Sequence, residues 1–344
     1  MPARSSVSCP ACHAPIAAAF ATALASAAAL ATVVLAVTPP APIRAGPAAR
    51  SAAAPVPVPA ALMPAAPATA LPEPARADLA LARRLERAEA RANAAFVEAR
   101  AAVAPAIGAA WLDVGGAYAM FDGVGSPLTQ SFGLGLFSPA SADGLATIER
   151  FLAERGAGAL HEVSPMADPA LLTLLPERGY RPVELTSVLH RPLAPELVGE
   201  ARGATAVRAR PIDAGEEGGW AELVSEGWGT AAEVGGFIRG FAEVTARSRG
   251  VTCFVAELDG TAIGAGAVWV HDRVAVLAGA STLPAWRGRG AQGALLGARL
   301  AFAAGAGCDL AMMGAAPGST SQTNAERQGF RIAYTRIKWG RERA

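Results

Sequence analysis

Two stretches of this 344-residue chain pass through the same order of predicted elements, 150 residues apart. Each contains a strand, a helix, a second strand and a short helix, and then a glycine, an aromatic residue and an arginine that open a last strand. These junctions are Gly179-Tyr180-Arg181 and Gly329-Phe330-Arg331. A shared order of elements indicates an internal duplication more strongly than one shared triplet does. The pattern therefore predicts two related units that mix strands and helices.

The hydrophobic periodicity gives approximate bounds for these elements. In the first stretch it predicts strands over 128–137, 159–163 and 183–190, and helices over 143–155 and 169–178. In the second it predicts strands over 274–283, 310–313 and 332–339, and helices over 291–304 and 320–328. Strong helix formers predict a helix over 79–103. An edge strand over 206–210 and a hairpin closed by Asp259-Gly260 precede the second stretch.

The charge balance and the cysteines exclude some classes of function. Lysine and arginine number 30 against 29 acidic residues, so no electrostatic reason exists to expect a nucleic-acid partner. Cys9 and Cys12 have a spacing typical of zinc or haem attachment, but the chain offers no second ligand pair. Cys253 and Cys308 are expected to be buried free thiols. We therefore expect no metal site.

One turn in the second stretch carries the chemistry. The strand over 274–283 is followed by Arg287-Gly288-Arg289-Gly290-Ala291-Gln292 and then by a helix. Glycines let the backbone approach a ligand, a helix N-terminus favours an anion, and arginines donate to phosphate oxygens. A P-loop would need Gly-Lys-Ser/Thr, and a dinucleotide fold would place its glycines early in a βαβ unit. The turn therefore favours a pyrophosphate, whereas residues 137–143 of the first stretch have no such turn.

This turn resembles the pyrophosphate loop of the GNAT N-acetyltransferases, whose motif is Q/R-x-x-G-x-G/A. Arg287 and Gly290 match the motif, and Gln292 departs from it because glycine or alanine is usual there. The resemblance covers 206–344, with a degenerate copy over 111–192. It implies an α+β fold in which helices flank a mixed, mainly antiparallel sheet, in two tandem copies. It also implies that acetyl-CoA is bound by Ala280, Ser281, Thr282, Leu283, Arg287, Gly288, Arg289, Gly290, Ala291, Gln292 and Asn324.

The resemblance further implies an enzyme that moves an acetyl group to an amine of a small molecule or peptide by direct attack. In the family a tyrosine of the short helix protonates the leaving thiolate, but Ala325 stands at that position. Tyr334 on the last strand is then the catalytic candidate, and a core aromatic residue is the alternative interpretation. Trp228 is a candidate for the acceptor pocket, and Glu226, Glu257 and His271 are conceivable bases. A non-catalytic acyl-CoA-binding sensor or scaffold is the alternative function.

The expected organisation is a leader over 1–77, a first copy over 78–193, a linker over 194–205 and the acetyltransferase domain over 206–344. Residues 16–37 carry no charge and are long enough to span a bilayer, so a signal or anchor is one interpretation. We favour a dispensable leader or a later start such as Met63, because acetyl-CoA is cytosolic. We therefore expect a cytoplasmic protein without a membrane partner. A homodimer is one possible assembly.

Overall fold

One sheet of eleven strands runs through the chain in a computed structural model that describes residues 78–193, 206–229 and 232–341. The predicted leader over 1–77, with its two cysteines, and the predicted linker over 194–205 lie outside the described residues. No helix within the described residues is both long enough and apolar enough to cross a membrane.

Seven helices flank the sheet in the described ranges. They are α1 (Leu79–Val103), α2 (Ala142–Ala153), α3 (Leu171–Glu177), α4 (Glu217–Trp228), α5 (Ala232–Thr245), α6 (Ala291–Gly305) and α7 (Thr320–Arg327). The strands are β1 (Ala110–Val114), β2 (Ala117–Phe121), β3 (Ser131–Phe132), β4 (Leu160–Val163), β5 (Arg181–Pro192), β6 (Arg208–Pro211), β7 (Val251–Leu258), β8 (Thr261–His271), β9 (Val274–Thr282), β10 (Leu310–Ala315) and β11 (Arg331–Gly340).

The strand order across the sheet is β1-β2-β3-β4-β11-β5-β10-β9-β8-β7-β6. Two of the neighbouring pairs, β3–β4 and β10–β9, are parallel, and the other neighbours are antiparallel. The expected mixed, mainly antiparallel sheet is therefore confirmed.

The two stretches interlock at the middle of this sheet. Strand β5 lies between β10 and β11, and β11 lies between β5 and β4. The last strand of each stretch thus pairs with a strand of the other: Val188 of β5 is opposite Gly314 of β10, and Lys338 of β11 is opposite Glu162 of β4. The described residues consequently share one continuous sheet.

Apolar side chains cover both faces of the sheet. Alternation along β5 sends Val188 into a cluster shared with α1, α4 and α5, and Leu189 into a cluster shared with α6 and α7. On β11, Trp339 faces the second side and packs in a cluster with α2 and α3. Helices α1, α4 and α5 therefore cover one face, and α2, α3, α6 and α7 cover the other.

Local signals explain most of the element ends. Helix α1 starts where Asp78 caps it, with the carboxylate accepting from the N–H of Leu81 at 2.7 Å. The Asp259-Gly260 turn has φ values of 51° and 77°, as a tight hairpin requires. The predicted strand over 128–137 is wrong for most of its length, because only Ser131–Phe132 pairs as a strand. Gly133 and Gly135 have φ values of 79° and 70° and turn the chain out of the sheet.

Candidate functional site

Strands β9 and β10 separate along their length. They pair through Val274, Ala275 and Val276 of β9, opposite Leu310, Ala311 and Met312 of β10. Beyond these residues β9 continues to Thr282 and β10 to Ala315 without further pairing between them. The sheet therefore opens between the carboxyl ends of two parallel strands, where open α/β sheets commonly bind ligands.

A β-bulge bends β9 at this opening. Ala278 is opposite Ala267 of β8 and Ser281 is opposite Ala265, so Gly279 and Ala280 together face one residue of β8. Gly279 is exposed and has a φ of 64°. A Cβ there would meet nothing within 4 Å, so the backbone conformation, rather than lack of space, favours glycine.

The loop that follows β9 leads into an uncapped helix. Gly288 and Gly290 have φ values of 79° and 91°, and Gly290 is the residue before the first turn of α6. No side chain of the described residues caps α6. Its first N–H groups, together with the positive end of the helix dipole, can therefore bind an anion.

The loop side chains attach it to its neighbours. Arg287 donates through Nη2 to the carbonyl of Gly227 at 3.0 Å and through Nε to the carbonyl of Thr282 at 3.4 Å. Arg287 thereby joins the end of α4 to the end of β9. Gln292, the departure from the motif, donates through Nε2 to Oγ1 of Thr282 at 2.8 Å. Arg289 is exposed, with its guanidinium carbon 4.9 Å from the centroid of the Trp286 ring.

The structure brings the predicted cofactor residues of β9 and of the loop together at one end of the sheet. Ser281 is buried and its hydroxyl has no hydrogen-bond partner among the described residues. A Cβ on Gly227 would lie 2.5 Å from this hydroxyl, so α4 approaches β9 at backbone distance. Asn324 lies half-buried on α7, the helix that follows the open end of β10.

Tyr334 lies on β11, three strands from β9 and on the face covered by α1 and α4. At about 4.8 Å per strand this places its backbone about 14 Å from β9. Its hydroxyl donates to Oε1 of Glu86 at 3.0 Å. Burial, followed by the charge of Glu86, raises the pKa of Tyr334. The structure does not bring Tyr334 to the loop, and its catalytic role stays a prediction.

A buried cluster of charges, which the sequence patterns did not predict, lies next to Tyr334. Arg336 lies 3.2 Å from Glu86, 2.8 Å from Glu89 and 3.0 Å from Glu162. Lys338 pairs with Glu162 and with Glu184 at 3.3 and 2.6 Å. Burial raises the pKa of Glu86 to about 7, although Arg336 opposes the shift. The alternation of Tyr334, Arg336 and Lys338 along one strand was the signal available in the sequence.

Arg299 was also missed. It lies on α6 and is 3% exposed, and within the described part of the chain its hydrogen bonds go to main-chain carbonyls: Leu295 at 3.1 Å, Ala267 at 3.1 Å and Ala278 at 3.3 Å. Burial lowers the pKa of this guanidinium to about 10. A charged residue on a helix face whose other buried residues are all apolar was the available signal.

The corresponding place in the first stretch is filled by the protein's own groups. The hydroxyl of Ser141 caps α2 by accepting from the N–H of Gly144 at 3.1 Å, and Asp143 adds a negative charge in the first turn. The loop before α2 is held by Asp168, whose N–H donates to the carbonyl of Gly135 at 2.8 Å and whose Oδ2 accepts from the N–H of Ala140 at 2.9 Å. This end of the first stretch therefore presents no open helix N-terminus.

The remaining candidates are dispersed. Trp228 ends α4 and packs half-buried against the cluster shared with α1, whereas Glu226 is exposed. Glu257 pairs with Arg210 at 2.8 Å, and burial lowers the pKa of His271. Cys253 and Cys308 are buried free thiols, as expected, and burial raises the pKa of Cys253 to about 12.

Comparison with known proteins finds one family match, in the second half of the chain. Residues 220–330 match the model of the acetyltransferase (GNAT) family. No curated protein matches the sequence. A GCN5-related N-acetyltransferase from Kribbella flavida superposes with a TM-score of 0.54 at 20% identity, over 77% of this chain and 96% of that one.

Two further solved structures superpose less closely. One is a GCN5-related N-acetyltransferase from Sphaerobacter thermophilus, with a TM-score of 0.44 at 18% identity, over 77% of this chain and 93% of that one. The other is a tandem GNAT protein from the clavulanic acid biosynthesis pathway, with a TM-score of 0.45 at 16% identity, over 57% and 68%. The chain thus has a GNAT-like α+β fold, and its residues 220–330 carry the match to the acetyltransferase (GNAT) family.

Proposed function

We propose that this protein is an acetyl-CoA-dependent N-acetyltransferase whose acyl-CoA site lies in residues 206–344. The observation that carries the proposal is the opening between β9 and β10, which leads to the uncapped N-terminus of α6. The family match at residues 220–330 includes β9, α6 and β10. A cytosolic location would supply the cofactor.

The residues present fit the parts of acetyl-CoA. The N–H groups of the first turn of α6 and the exposed Arg289 would hold the pyrophosphate. The backbone from Ala280 to Leu283, on the edge that faces away from β8, would pair with the pantetheine arm. Arg287 is already bonded to Gly227 and Thr282, so its part is to keep the loop and α4 in place.

Acetyl-CoA would supply the acetyl group as a thioester: the amine nitrogen bonds to the acetyl carbon, the carbon–sulfur bond breaks with its electron pair on sulfur, and one amine proton is lost. The bulge at Gly279 and Ala280 frees backbone groups beside the opening, and such groups stabilise developing negative charge. Leu283, Trp228 and the buried Ser281 on the α4 side would form the wall that receives the acceptor amine.

We propose that residues 78–193 are a degenerate copy that serves as scaffold. The support is the same order of elements, β3-α2-β4-α3-β5 against β9-α6-β10-α7-β11. The capped start of α2, with Asp143 in its first turn, would repel a phosphate that α6 would attract.

A non-catalytic acyl-CoA-binding sensor or scaffold is the second candidate, and two observations favour it. Ala325 stands where the family has its tyrosine, and it is buried. The hydroxyl of Tyr334 is bonded to Glu86, three strands from β9, so this tyrosine does not lie at the opening.

Two measurements on the full chain separate these functions. Titration calorimetry with acetyl-CoA reports binding, and a thiol reagent reports release of coenzyme A in the presence of a panel of small-molecule and peptide amines. Binding with amine-dependent release supports the enzyme, and binding without release on any amine supports the sensor. Absence of acetyl-CoA binding would remove both.

A further inference from the structure

Arg299 lies beneath the bulge of β9, where it joins α6 to two strands. Its Nη1 donates to the carbonyls of Ala267 and Ala278, at 3.1 and 3.3 Å, and these two residues are cross-strand partners. Its Nε donates to the carbonyl of Leu295 in its own helix at 3.1 Å. One guanidinium thus bridges β8 and β9 at the pair that immediately precedes the register shift.

The strand opposite the bulge is shaped to receive this side chain. A Cβ on Gly266 would lie 3.1 Å from the guanidinium carbon, a distance that few real contacts reach. Gly266 therefore leaves the space that Arg299 fills, while Gly279 adopts the left-handed backbone of the bulge. Arg299, Gly266 and Gly279 together hold β9 in its bent form.

The charge of Arg299 has no acidic partner among the described residues. The buried acidic side chains of those ranges are Glu86, Asp122 and Glu162, and each pairs with another base, namely Arg336, Arg100 or Lys338. The cluster packed under α6 is apolar, and Cys308 is the ionisable residue within it. Burial raises the pKa of that thiol, which keeps it neutral. Burying a cation without a counter-ion lowers the stability of the fold. We therefore expect the charge of Arg299 to serve a function.

We infer that Arg299 is a positioning residue for acyl transfer: it holds the β9 bulge and places a positive charge on the β8 side of the strand along which the departing sulfur lies. The inference rests on the proposed function, which puts the pyrophosphate at α6 and the arm along β9. An arm that pairs along β9 from Thr282 runs toward Gly279, about 10 Å away, so its acyl end lies nearer the bulge than its pyrophosphate does.

A fixed charge in a water-poor site acts on the step in which charge develops. The amine supplies the electron pair of the new bond to carbon, the pair of the carbon–sulfur bond leaves on sulfur, and the amine proton passes to water. Arg299 stabilises the negative sulfur relative to the neutral thioester. It therefore acts on the rate of transfer and on the acidity of the thiol of bound coenzyme A.

The test is an ultraviolet titration of the coenzyme A thiol, free and bound to the full-length protein. Arg299→Met removes the charge and the bridge, and Arg299→Lys keeps the charge. We expect the wild type to lower the thiol pKa, Arg299→Met to raise it by about one pH unit relative to the wild type, and Arg299→Lys to stay near the wild type. Arg150→Met, at an exposed arginine of α2, is the matched control and should change nothing.

The kinetics give a second measurement on the same variants. Arg299→Met should lower kcat for coenzyme A release about tenfold and leave KM for the amine unchanged. A purely structural arginine would change stability and cofactor affinity without moving the thiol pKa. Wild-type thiol pKa and kcat in a folded Arg299→Met protein would overturn the inference and leave the proposed function standing.

Failure of the wild type to bind coenzyme A would instead remove the proposed function itself. If the circular-dichroism spectrum shows that Arg299→Met does not fold, Gly266→Ala is used to test the inference instead. The methyl group added by this substitution displaces the guanidinium of Arg299, whereas the charge remains. We expect Gly266→Ala to raise the thiol pKa and Arg299→Lys to leave it low. A thiol pKa unchanged in Gly266→Ala would overturn the inference.

Discussion

The pKa values of two buried groups, Glu86 and His161, are shifted in opposite directions. The Glu86→Gln variant should reveal the effect of these shifts on the pH dependence of stability. Burial raises the pKa of Glu86 from 4.5 to about 7, and burial lowers the pKa of His161 from 6.5 to about 4. Both side chains are almost fully excluded from solvent, at 1% and 0% exposure. Glu86 is held by Tyr334 and Arg336, and Nδ1 of His161 is 2.8 Å from the hydroxyl of Ser131.

The two shifts change stability with opposite signs. Folded Glu86 holds its proton more tightly than the unfolded chain does, so its contribution is complete below pH 4.5 and is lost as the pH rises through about 7. Folded His161 resists protonation, so its contribution is complete above pH 6.5 and is lost as the pH falls through about 4. A difference of about 2.5 pH units corresponds to about 3 kcal/mol for each group.

In the wild type the pH dependences of the two contributions nearly cancel between about pH 4.5 and 6.5, so their sum stays nearly constant. In Glu86→Gln only His161 remains, so the free energy of unfolding should rise by about 3 kcal/mol from pH 4 to 6.5 and then level off. In His161→Asn only Glu86 remains, and the free energy should fall over about pH 4.5 to 7. Glu89 and Glu162 also raise the pKa of Glu86, so the fall reports the cluster and not Glu86 alone.

Urea unfolding at a series of pH values, followed by tryptophan fluorescence, measures these curves. Trp220 and Trp339 are buried and report loss of the core. The comparison uses the difference between each variant and the wild type, so that surface groups common to both cancel. Parallel curves for the wild type and Glu86→Gln between about pH 5 and 8 would refute the reasoning.

Three further predictions concern the candidate site. Arg287→Glu removes the bonds to Gly227 and Thr282 and puts a carboxylate beside the anion site, so calorimetry should detect no acetyl-CoA binding by a protein that remains folded; unchanged affinity would contradict the assignment of the loop. Gly290→Ala forces alanine to a φ of 91°, so it should lower the stability by ~1 kcal/mol and weaken acetyl-CoA binding severalfold. The control is Gly307→Ala, at a φ of 81° beyond the other end of α6, which should lower the stability by a similar amount without changing the affinity. Tyr334→Phe should lower kcat about a hundredfold with unchanged acetyl-CoA affinity if its hydroxyl takes part in proton transfer, and an unchanged kcat would end its catalytic assignment.

The regular elements were predictable because their signals are local. Helix α1 was predicted at both ends, and the strands and helices from β9 to β11 were predicted within two residues. The predicted strand over 128–137 failed because Gly133 and Gly135 turn the chain, and a hydrophobic run does not show which glycine will turn. The strand order at the centre of the sheet was not predictable, because β5 pairs with β10 and β11, which are more than a hundred residues away along the chain.

The same distinction applies to the candidate site. The loop over 287–292 was predictable because its glycines and arginines are adjacent in sequence. Arg299 and the cluster around Arg336 were not, because their partners come from other strands and from a helix near the start of the described chain. Arg287 was recognised, but its bonds to carbonyls of α4 and β9 depend on tertiary structure.

The interlocked strands have a consequence for synthesis on the ribosome. Strand β5 leaves the exit tunnel before either of its neighbours, β10 and β11, has been translated. The bond between Tyr334 and Glu86, which helps to close the centre, spans 248 residues. Long-range pairing of this kind slows folding and leaves strand edges open to other nascent chains. The sheet therefore closes after translation of β11. Until then, the amount of protein that folds correctly depends on how well β4 and β5 are protected from pairing with other chains.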